Sequence, residues 1–468
     1  VSGLGMFFLA RSLWGTPAGI LSAGLYVYAP YHLVDAYVRG AYSELTTYVW
    51  LPFIILCMLG WSRTRKKAWI LGGAISLAGL VVTHNIIPMI FLPVLPVIAI
   101  GMVEDLRSLW TDLDLLKGWA GMALLGALLS GYFWLPIVLD RHLIQTNYFL
   151  QVNYRDEFVG FAQLLGTTLK HGLTSEIGVP LLVSSSCGLT AAYLTARRRI
   201  STRLVLISGG VTIGYVLLMN YRSAPIWSSV PLLQFVQLPW RMLAPITFFL
   251  CLVAGALPGS VRSWHVKWIL ALSIPVIAIQ IHQPLIALPK LIDARSLSKL
   301  QLCGDIWGTQ DYRPAWSDTA FWRSTKPPEA TAERPVLLPC AGVPVFESDA
   351  VHRLVHFAKE ESGFRLEYSS SRSDTIQVPI FYFPTWKAEI DGSPVQVTPS
   401  PRTGLIRLKV PAGDHTITGS LGRTYAQSAG ILVTLLGIVL GLSLIVWTLR
   451  EQNRNEGRPE KSSNDPAK

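Results

Sequence analysis

Ionisable side chains of four types lie within one short stretch of an otherwise apolar sequence. The segment YHLVDAYVRGAYSE, residues 31–44, carries His32, Asp35, Arg39 and Glu44. A carboxylate can take a proton from a hydroxyl group, and a guanidinium group can clamp a phosphate through paired hydrogen bonds. Polar groups at a membrane boundary cost free energy unless they are paired or hydrated, so their density here requires a reason.

Each of these residues also has a structural interpretation, and the sequence leaves both open. Asp35 and Arg39 are four residues apart, so on a helix they can form a salt bridge that only closes a loop. Gly40 is expected to interrupt that helix. Glu44 then falls at the start of the next helix, where a carboxylate is favoured by the helix dipole.

Two further polar stretches flank apolar segments. In Thr83-His84-Asn85, the asparagine suits a tight turn, whereas a histidine at this position is either a functional group or one bonded to a carbonyl. In QLPWR, Trp240 fits the aromatic belt of a membrane interface, and Arg241 either clamps a phosphate or extends its charge into water. The candidate substrate-binding residues are His32, Arg39, His84, Asn85, Trp240 and Arg241.

The elements that must position these residues are membrane-spanning helices. The 468 residues are 51% hydrophobic and only 15% charged, against about a quarter charged in soluble proteins. Apolar runs of about 20 residues predict a mainly α, polytopic membrane bundle of 10–11 transmembrane segments. A partial helix is expected at 1–10, and full spans near 14–30, 45–61, 68–83, 85–102, 118–138, 178–195, 203–220, 241–258, 266–284 and 427–449. Because residue 1 is Val and 1–10 is too short to span, we expect the N-terminus of a longer protein to be missing.

The basic residues predict the orientation of these segments. Arg and Lys cluster at 62–67, at 196–203, at Arg262 with Lys267, and from Arg450 onward. With eleven segments these loops share one side, which the positive-inside rule makes cytoplasmic. The net charge of +11 is therefore no evidence for nucleic-acid binding. The three polar stretches and the 139–177 loop fall on the outer side.

A period-two pattern with turn signals from about residue 285 predicts an extracytoplasmic antiparallel β-sandwich. Its strands are expected at 353–359, 364–370, 375–383, 387–390, 395–398, 404–410 and 415–420. The predicted domains are thus a helical domain at 1–284, the β-rich domain at 285–425, a final transmembrane helix at 426–449 and a disordered cytoplasmic tail at 450–468. Phe158, Phe161, Leu165 and Leu169 suggest an amphipathic helix, on the membrane surface or capping the bundle.

Cysteine usage and short motifs add little chemistry. Cys57, Cys187 and Cys251 lie in apolar runs and are expected in the core. Cys303 and Cys340 fall in the polar region, where a disulfide and two free thiols are equally compatible with the sequence. Cys/His spacing suggests no metal site. The Asp-x-Asp pair Asp112 and Asp114 is predicted on the cytoplasmic side, away from the polar stretches, and is rejected.

The residues singled out above also carry a family resemblance. The run YAPYHLVDAYVRGAYSE, followed by THN and QLPWR, resembles prokaryotic multi-pass proteins labelled 6-pyruvoyl-tetrahydropterin synthase-related. YFPTWKAEIDGSPVQV with GLIRLKVPAGDHTI is similar to the C-terminal β-region of YfhO-like membrane proteins. The resemblance covers most of 14–260 and about 380–445. Both groups are placed with the GT-C superfamily of membrane glycosyltransferases.

The resemblance implies a transferase of the prokaryotic cell membrane in cell-envelope glycan or glycolipid assembly. Its partners would be membrane lipid, a polyprenyl-phosphate sugar donor and a glycan or glycolipid acceptor. No cofactor is evident, and a divalent metal ion is compatible with the superfamily. The principal acid of that superfamily matches a position upstream of residue 1, which leaves Asp35 and Glu44 as weak catalytic candidates. The alternative is a non-enzymatic protein, either a transporter or flippase of lipid-linked glycans or a scaffold. A transporter should show inverted repeats and broken helices at the bilayer midplane; the sequence shows no such repeat, which favours the enzyme.

Overall fold

The computed structural model describes residues 1–103, 105–145, 154–165, 169–170, 173–174, 176–194, 200–286, 315–316, 344–347, 352–360, 362–401 and 403–456. The chain divides into two compact units. The first, the helical unit, comprises 1–134, 153–289 and 430–468. The second, the β unit, comprises 135–152 and 290–429.

The first half of the chain and the C-terminal segment are mainly helical. The α-helices are Ser2–Trp14, Thr16–Val27, Pro30–Leu33, Tyr42–Thr64, Ala68–Thr83, Ile86–Phe91, Leu95–Gly101, Ser108–Thr111, Leu113–Leu129, Gly131–Leu139, Phe161–Leu165, Val179–Leu194, Ile200–Met219, Ala224–Ser229, Pro231–Gln234, Leu243–Ala254, Ala256–Ser260, Trp264–His282 and Tyr425–Glu456. The 3₁₀ turns are Leu92–Val94, Arg141–Leu143, Tyr154–Glu157, Tyr221–Ser223, Pro239–Met242 and Gln283–Ile286, and Val34–Val38 is a π-helix.

Among the described residues, five helices are long and apolar enough to cross a membrane, which supports a multi-pass membrane protein. They are Tyr42–Thr64, Ile200–Met219, Pro239–Ser260, Trp264–Ile286 and Tyr425–Arg450. Four of the other predicted spans are helices of 10–17 residues, namely Thr16–Val27, Ala68–Thr83, Ile86–Gly101 and Val179–Leu194. The predicted total of 10–11 therefore depends on counting helices shorter than the usual 20 residues as spans.

The span predicted at 118–138 is not one straight helix. Leu113–Leu129 and Gly131–Leu139 meet at an angle of 74°. Ser130 Oγ bonds back to the carbonyl of Gly126 at 2.8 Å, a contact that bends helices. A side chain at Gly131 would lie 2.6 Å from Val433 Cγ1, so the C-terminal helix packs directly against the bend.

Three local predictions were wrong. The amphipathic helix is limited to Phe161–Leu165, because Gly160 precedes it and Leu169 lies in a two-residue strand. Phe158 instead contacts the rings of Tyr154 and Trp227. Cys187 is exposed, whereas Cys57 and Cys251 are buried as predicted. The predicted span at 427–449 matches the apolar span Tyr425–Arg450, but the helix continues to Glu456, into the segment predicted to be a disordered tail. Cys303 and Cys340 lie outside the described residues, as does 457–468.

The β unit contains two antiparallel sheets, and the predicted strands are confirmed to within a few residues. The four-stranded sheet has the order Val345–Phe346, Asp374–Phe381, Leu405–Val410 and Thr398–Pro399. The five-stranded sheet has the order His352–Glu360, Gly363–Ser370, Gly413–Leu421, Trp386–Ile390 and Ser393–Val395. One apolar core, with Leu366 and Ile417 from the second sheet and Ile376 and Leu408 from the first, holds the two together. Asp391 and Gly392 form the predicted tight turn with φ of 48° and 80°.

The pair of Asp391 and His415 is expected to make the local stability of strand Gly413–Leu421 depend on pH. Hydrogen bonding to Asp391 Oδ2, at 2.5 Å, raises the pKa of His415, and its Nε2 lies 2.9 Å from the Ala412 carbonyl. Stabilisation by protonated His415 is full below its unfolded pKa and is lost as pH rises through the raised value. Hydrogen exchange of peptide 413–421, corrected for intrinsic rates, should therefore accelerate across that window in the wild type. His415→Gln should abolish this dependence and exposed His356→Gln should keep it; equal pH profiles in all three proteins would contradict the assignment.

Candidate functional site

The stretch 28–44 folds as two short helical segments before the long helix that begins at Tyr42. Pro30 starts the helix Pro30–Leu33, which continues as the π-helix Val34–Val38. The amide of Arg39 donates to the carbonyl of Val34 at 2.8 Å, five residues back. Gly40 then adopts a φ of +61° and ends the segment, as predicted. The widened turn brings Asp35 and Arg39 into an ion pair and is of a type that often occurs at functional sites.

Glu44, in the first turn of the long helix, joins this pair into a buried network. The Tyr31 hydroxyl donates to Glu44 Oε1 at 2.6 Å, and Arg39 Nη1 donates to Glu44 Oε2 at 3.1 Å. Arg39 Nη1 also reaches the Tyr31 hydroxyl at 3.2 Å. The carboxyl side chains of Asp35 and Glu44 are 0% and 2% exposed. Two buried carboxyl groups thus share one arginine, and the Tyr31 hydroxyl bridges Arg39 and Glu44.

A second arginine enters from the QLPWR stretch. Gln237 has a φ of +63°, and the turn Pro239–Met242 follows it. Arg241 Nε lies 3.9 Å from Glu44 Oε2, while its Nη1 donates to the carbonyl of Val236 at 3.0 Å. Its Nε is buried and has no hydrogen-bond partner in the part of the chain that the structure describes. The topology-based prediction placed these stretches on one face, and the structure brings Arg241 and Glu44 together.

Trp240 covers the network. The Arg39 guanidinium carbon lies 4.5 Å from the centroid of the indole ring, within the range of a cation–π contact. The Trp240 indole N–H donates to Glu157 Oε2 at 3.1 Å, which fixes the ring. Glu157 and Tyr31 were not among the predicted site residues. Tyr31 lies inside the polar stretch and could have been included, whereas nothing local in the sequence links Glu157 to Trp240.

The two histidines of the prediction differ in their surroundings. His84 Nδ1 accepts from the amides of Ile86 and Ile87, both at 3.1 Å, and so caps the next helix. Burial lowers the pKa of His84 to about 4; the charge of Glu44 opposes this shift and those of both arginines add to it. His84 is therefore neutral near pH 7 and lies in the field of the cluster. Asn85 is exposed at the start of that helix.

His32 belongs to an aromatic core. Its ring lies 4.4 Å from that of Tyr48 and stacks on Tyr26 at 5.9 Å, and its Nδ1 lies 2.9 Å from the Val27 carbonyl. His32 thus has a packing environment, and no hydrogen bond or ion pair among the described residues joins it to the ion network.

The electrostatics distinguish the two carboxyl groups. Burial raises the pKa of Asp35, the charge of Glu44 raises it further, and Arg39 and Arg241 oppose the shift. Asp35 Oδ2 is buried without a hydrogen-bond partner among the described residues, whereas both oxygens of Glu44 accept hydrogen bonds. Asp35 therefore keeps an open acceptor position. No group of three or more metal-ligating side chains occurs in the described part of the chain, and both carboxyl groups here are engaged by Arg39.

Described basic residues lie at the ends of the helices opposite the cluster. Helix Tyr42–Thr64 carries Glu44 at its start and leads into Arg65 at its end, about 32 Å away at 1.5 Å per residue. There Arg63 donates to the Ser12 carbonyl and Arg203 to the Val103 carbonyl. Asp112 caps the helix Leu113–Leu129 and pairs with Arg65 at 2.5 Å, so the Asp-x-Asp pair is remote from the cluster.

Fold and site together define a multi-pass helical protein with a buried ionic cluster at one end of its helices. Comparisons of the chain with protein-family models, with curated proteins and with solved structures found no match. Function must therefore be argued from the chemistry of the site itself.

Proposed function

We propose that the chain is a GT-C-type glycosyltransferase that uses a polyprenyl-phosphate-linked sugar on the outer face of a prokaryotic cell membrane, in cell-envelope glycan or glycolipid assembly. One observation carries the proposal: the buried cluster of two carboxyl groups and two guanidinium groups at one end of long apolar helices. The resemblance of residues 28–44, 83–85 and 237–241 supports it. The positive-inside rule supports the orientation, because the described basic residues Arg63, Arg65 and Arg203 lie at the other end of the helices.

The cluster has the groups that the reaction needs. In the transfer, the bond between sugar C1 and the phosphate oxygen breaks and a bond from C1 to the acceptor oxygen forms. The acceptor hydroxyl gives its proton to a carboxylate, and the polyprenyl phosphate leaves with the bonding electron pair. Arg39 and Arg241 would bind the phosphate and stabilise the charge that develops on it. The buried Nε of Arg241 has no hydrogen-bond partner among the described residues, so its N–H is a donor available for this role.

Asp35 is the better candidate for the base. Its Oδ2 has an open acceptor position and its pKa is raised toward neutrality, as general bases require. Glu44 is bonded by Tyr31 and Arg39 and would hold the arginines in place. Because Asp35 is 0% exposed, an acceptor would reach it only after Arg39 and Trp240 move. The structure described here is the closed arrangement in this proposal.

A second candidate function is favoured by the internal pairing of the cluster. Both oxygens of Glu44 and one of Asp35 are satisfied by protein groups alone. A non-enzymatic membrane protein, either a scaffold or a transporter of lipid-linked glycans, could use the same cluster to fix its helices.

Asp35→Asn should lower sugar transfer by about 10²–10⁴-fold, the usual contribution of a general base. The base acts only when ionised, so the wild-type rate should rise with pH through the raised pKa of Asp35, and the variant should lack this rise. The assay measures consumption of polyprenyl-phosphate-linked sugars by the full-length protein in detergent. Asp112→Asn, which removes a carboxylate at the far end of the helices, is the matched control.

The outcomes separate the two candidate functions. Full activity of Asp35→Asn would exclude Asp35 as the base. A wild-type protein that consumes no lipid-linked sugar but moves it across vesicle membranes would favour the transporter. A folded protein that does neither would favour the scaffold.

A further inference from the structure

We propose that the end of the helical unit opposite the ion cluster binds one anionic phospholipid. Its phosphate would lie between Lys67 and Arg450, and an acyl chain would lie along the C-terminal helix. The inference is independent of the proposed function, because Lys67 follows the far end of the helix that carries Glu44 and Arg450 lies beside it on the C-terminal helix.

The headgroup site is formed around Trp447. Lys67 follows the long helix Tyr42–Thr64, and its Nζ lies 3.4 Å from the centroid of the Trp447 ring. Trp447 is 58% exposed, and Arg450 lies three residues later on the same helix. A tryptophan flanked by cations at the end of an apolar helix is the usual arrangement at the headgroup level of a bilayer. Lipids with a net negative headgroup are attracted there. Phosphatidylcholine has no net charge, because the positive charge of its choline group balances the negative charge of its phosphate.

The acyl-chain site is an open surface groove of about 490 Å³ along the same helix. Its lining residues are Val439, Leu442, Ser443, Val446, Trp447 and Arg450. Their spacing of three and four residues places them on one face of the helix, over a length of about 16 Å. The apolar part of this face leads directly to the two cations. Charge at one end and apolar surface along the rest match a phospholipid with one negative headgroup.

Native mass spectrometry of the full chain released from nanodiscs tests the proposal. The nanodiscs contain equal amounts of phosphatidylglycerol and phosphatidylcholine, and the ratio of the two lipids retained on the protein is measured. Wild-type protein should retain one phosphatidylglycerol preferentially. Lys67→Gln with Arg450→Gln should reduce that preference about tenfold or more, and Trp447→Leu should reduce it to a smaller extent.

The matched control is Arg11→Gln with Lys117→Gln, which removes two charges from the same end of the helices. This control should keep the preference. The proposal fails if the control loses the preference equally, because binding would then be a general effect of charge. It also fails if phosphatidylcholine is retained as well as phosphatidylglycerol, or if inorganic phosphate added to the nanodiscs displaces the lipid completely.

Discussion

Arg39→Ala should lower the free energy of unfolding of the helical unit by about 3–5 kcal/mol, the cost of removing one partner from a buried ion pair. Arg39 contacts Asp35, Glu44 and Tyr31, and only 14% of its side chain is exposed. Its removal leaves two carboxyl groups in a site that water does not reach. Asp35 could escape part of the cost by taking up a proton, because its pKa is already raised. Glu44 would keep Tyr31 and the more distant Arg241 as partners.

Buried thiols provide a local readout of this effect. Cys57 and Cys251 are buried in the helical unit, so a thiol-reactive fluorophore labels them only when that unit opens. The background variant replaces Cys187, Cys303 and Cys340 by Ser, which leaves these two reporters. Labelling is followed against temperature in detergent micelles. The unfolding midpoint of Arg39→Ala should fall clearly below that of the background protein.

Arg65→Ala is the matched control for this prediction. Arg65 also pairs with an aspartate, Asp112 at 2.5 Å, but their side chains are 37% and 34% exposed. Ion pairs that are exposed to solvent contribute about 0–1 kcal/mol to the free energy of unfolding, so the unfolding midpoint of Arg65→Ala should barely change. Equal midpoints for the two alanine variants would show that the cluster is hydrated in solution and would remove the basis of the proposed site.

Features that depend on local sequence were predicted well. The strands of the β unit alternate apolar and polar residues, and their bounds match the pattern because a half-buried strand requires that period. The pair of Asp35 and Arg39 follows from their spacing, and Gly40 breaks the helix because it alone adopts φ of +61° at no cost. Counting apolar segments predicted that 31–44 and Arg241 lie on the same side, because successive loops alternate between the two sides of a membrane.

Features that depend on distant contacts could not be predicted. Glu157 fixes Trp240 from 83 residues away, and no pattern in either stretch indicates it. His32 was expected in a polar substrate-binding site, but it lies in an aromatic core. Tyr26 and Tyr48, from the helices on either side, form that core. The 74° bend near Gly131 arises from packing against the C-terminal helix as well as from Ser130. Hydropathy alone records neither kind of contact.

Arg241→Gln should reduce sugar transfer by about 10²–10³-fold, the typical loss when one donor to a developing negative charge is removed. The reduction should appear mainly in kcat, because the charge on the leaving phosphate is largest in the transition state. Arg241→Lys should recover only part of the activity, since an ammonium group cannot make the paired hydrogen bonds of a guanidinium group. Activity is measured with a polyprenyl-phosphate-linked sugar under the conditions used for Asp35→Asn.

Structural damage and lost chemistry must be separated for this residue. Arg241 Nη1 also donates to the Val236 carbonyl and lies 3.3 Å from Gln237 Oε1, so its removal could loosen the turn that carries Trp240. Protection of Cys251 on the following helix reports that damage independently of activity. Arg222→Gln is the control and should keep full activity, because Arg222 is exposed and joins no ion network among the described residues. If Arg241→Gln keeps Cys251 protected and also keeps wild-type kcat, Arg241 has no part in stabilising the leaving phosphate. The cluster is then better explained by the non-enzymatic alternative, in which the paired charges fix the helices.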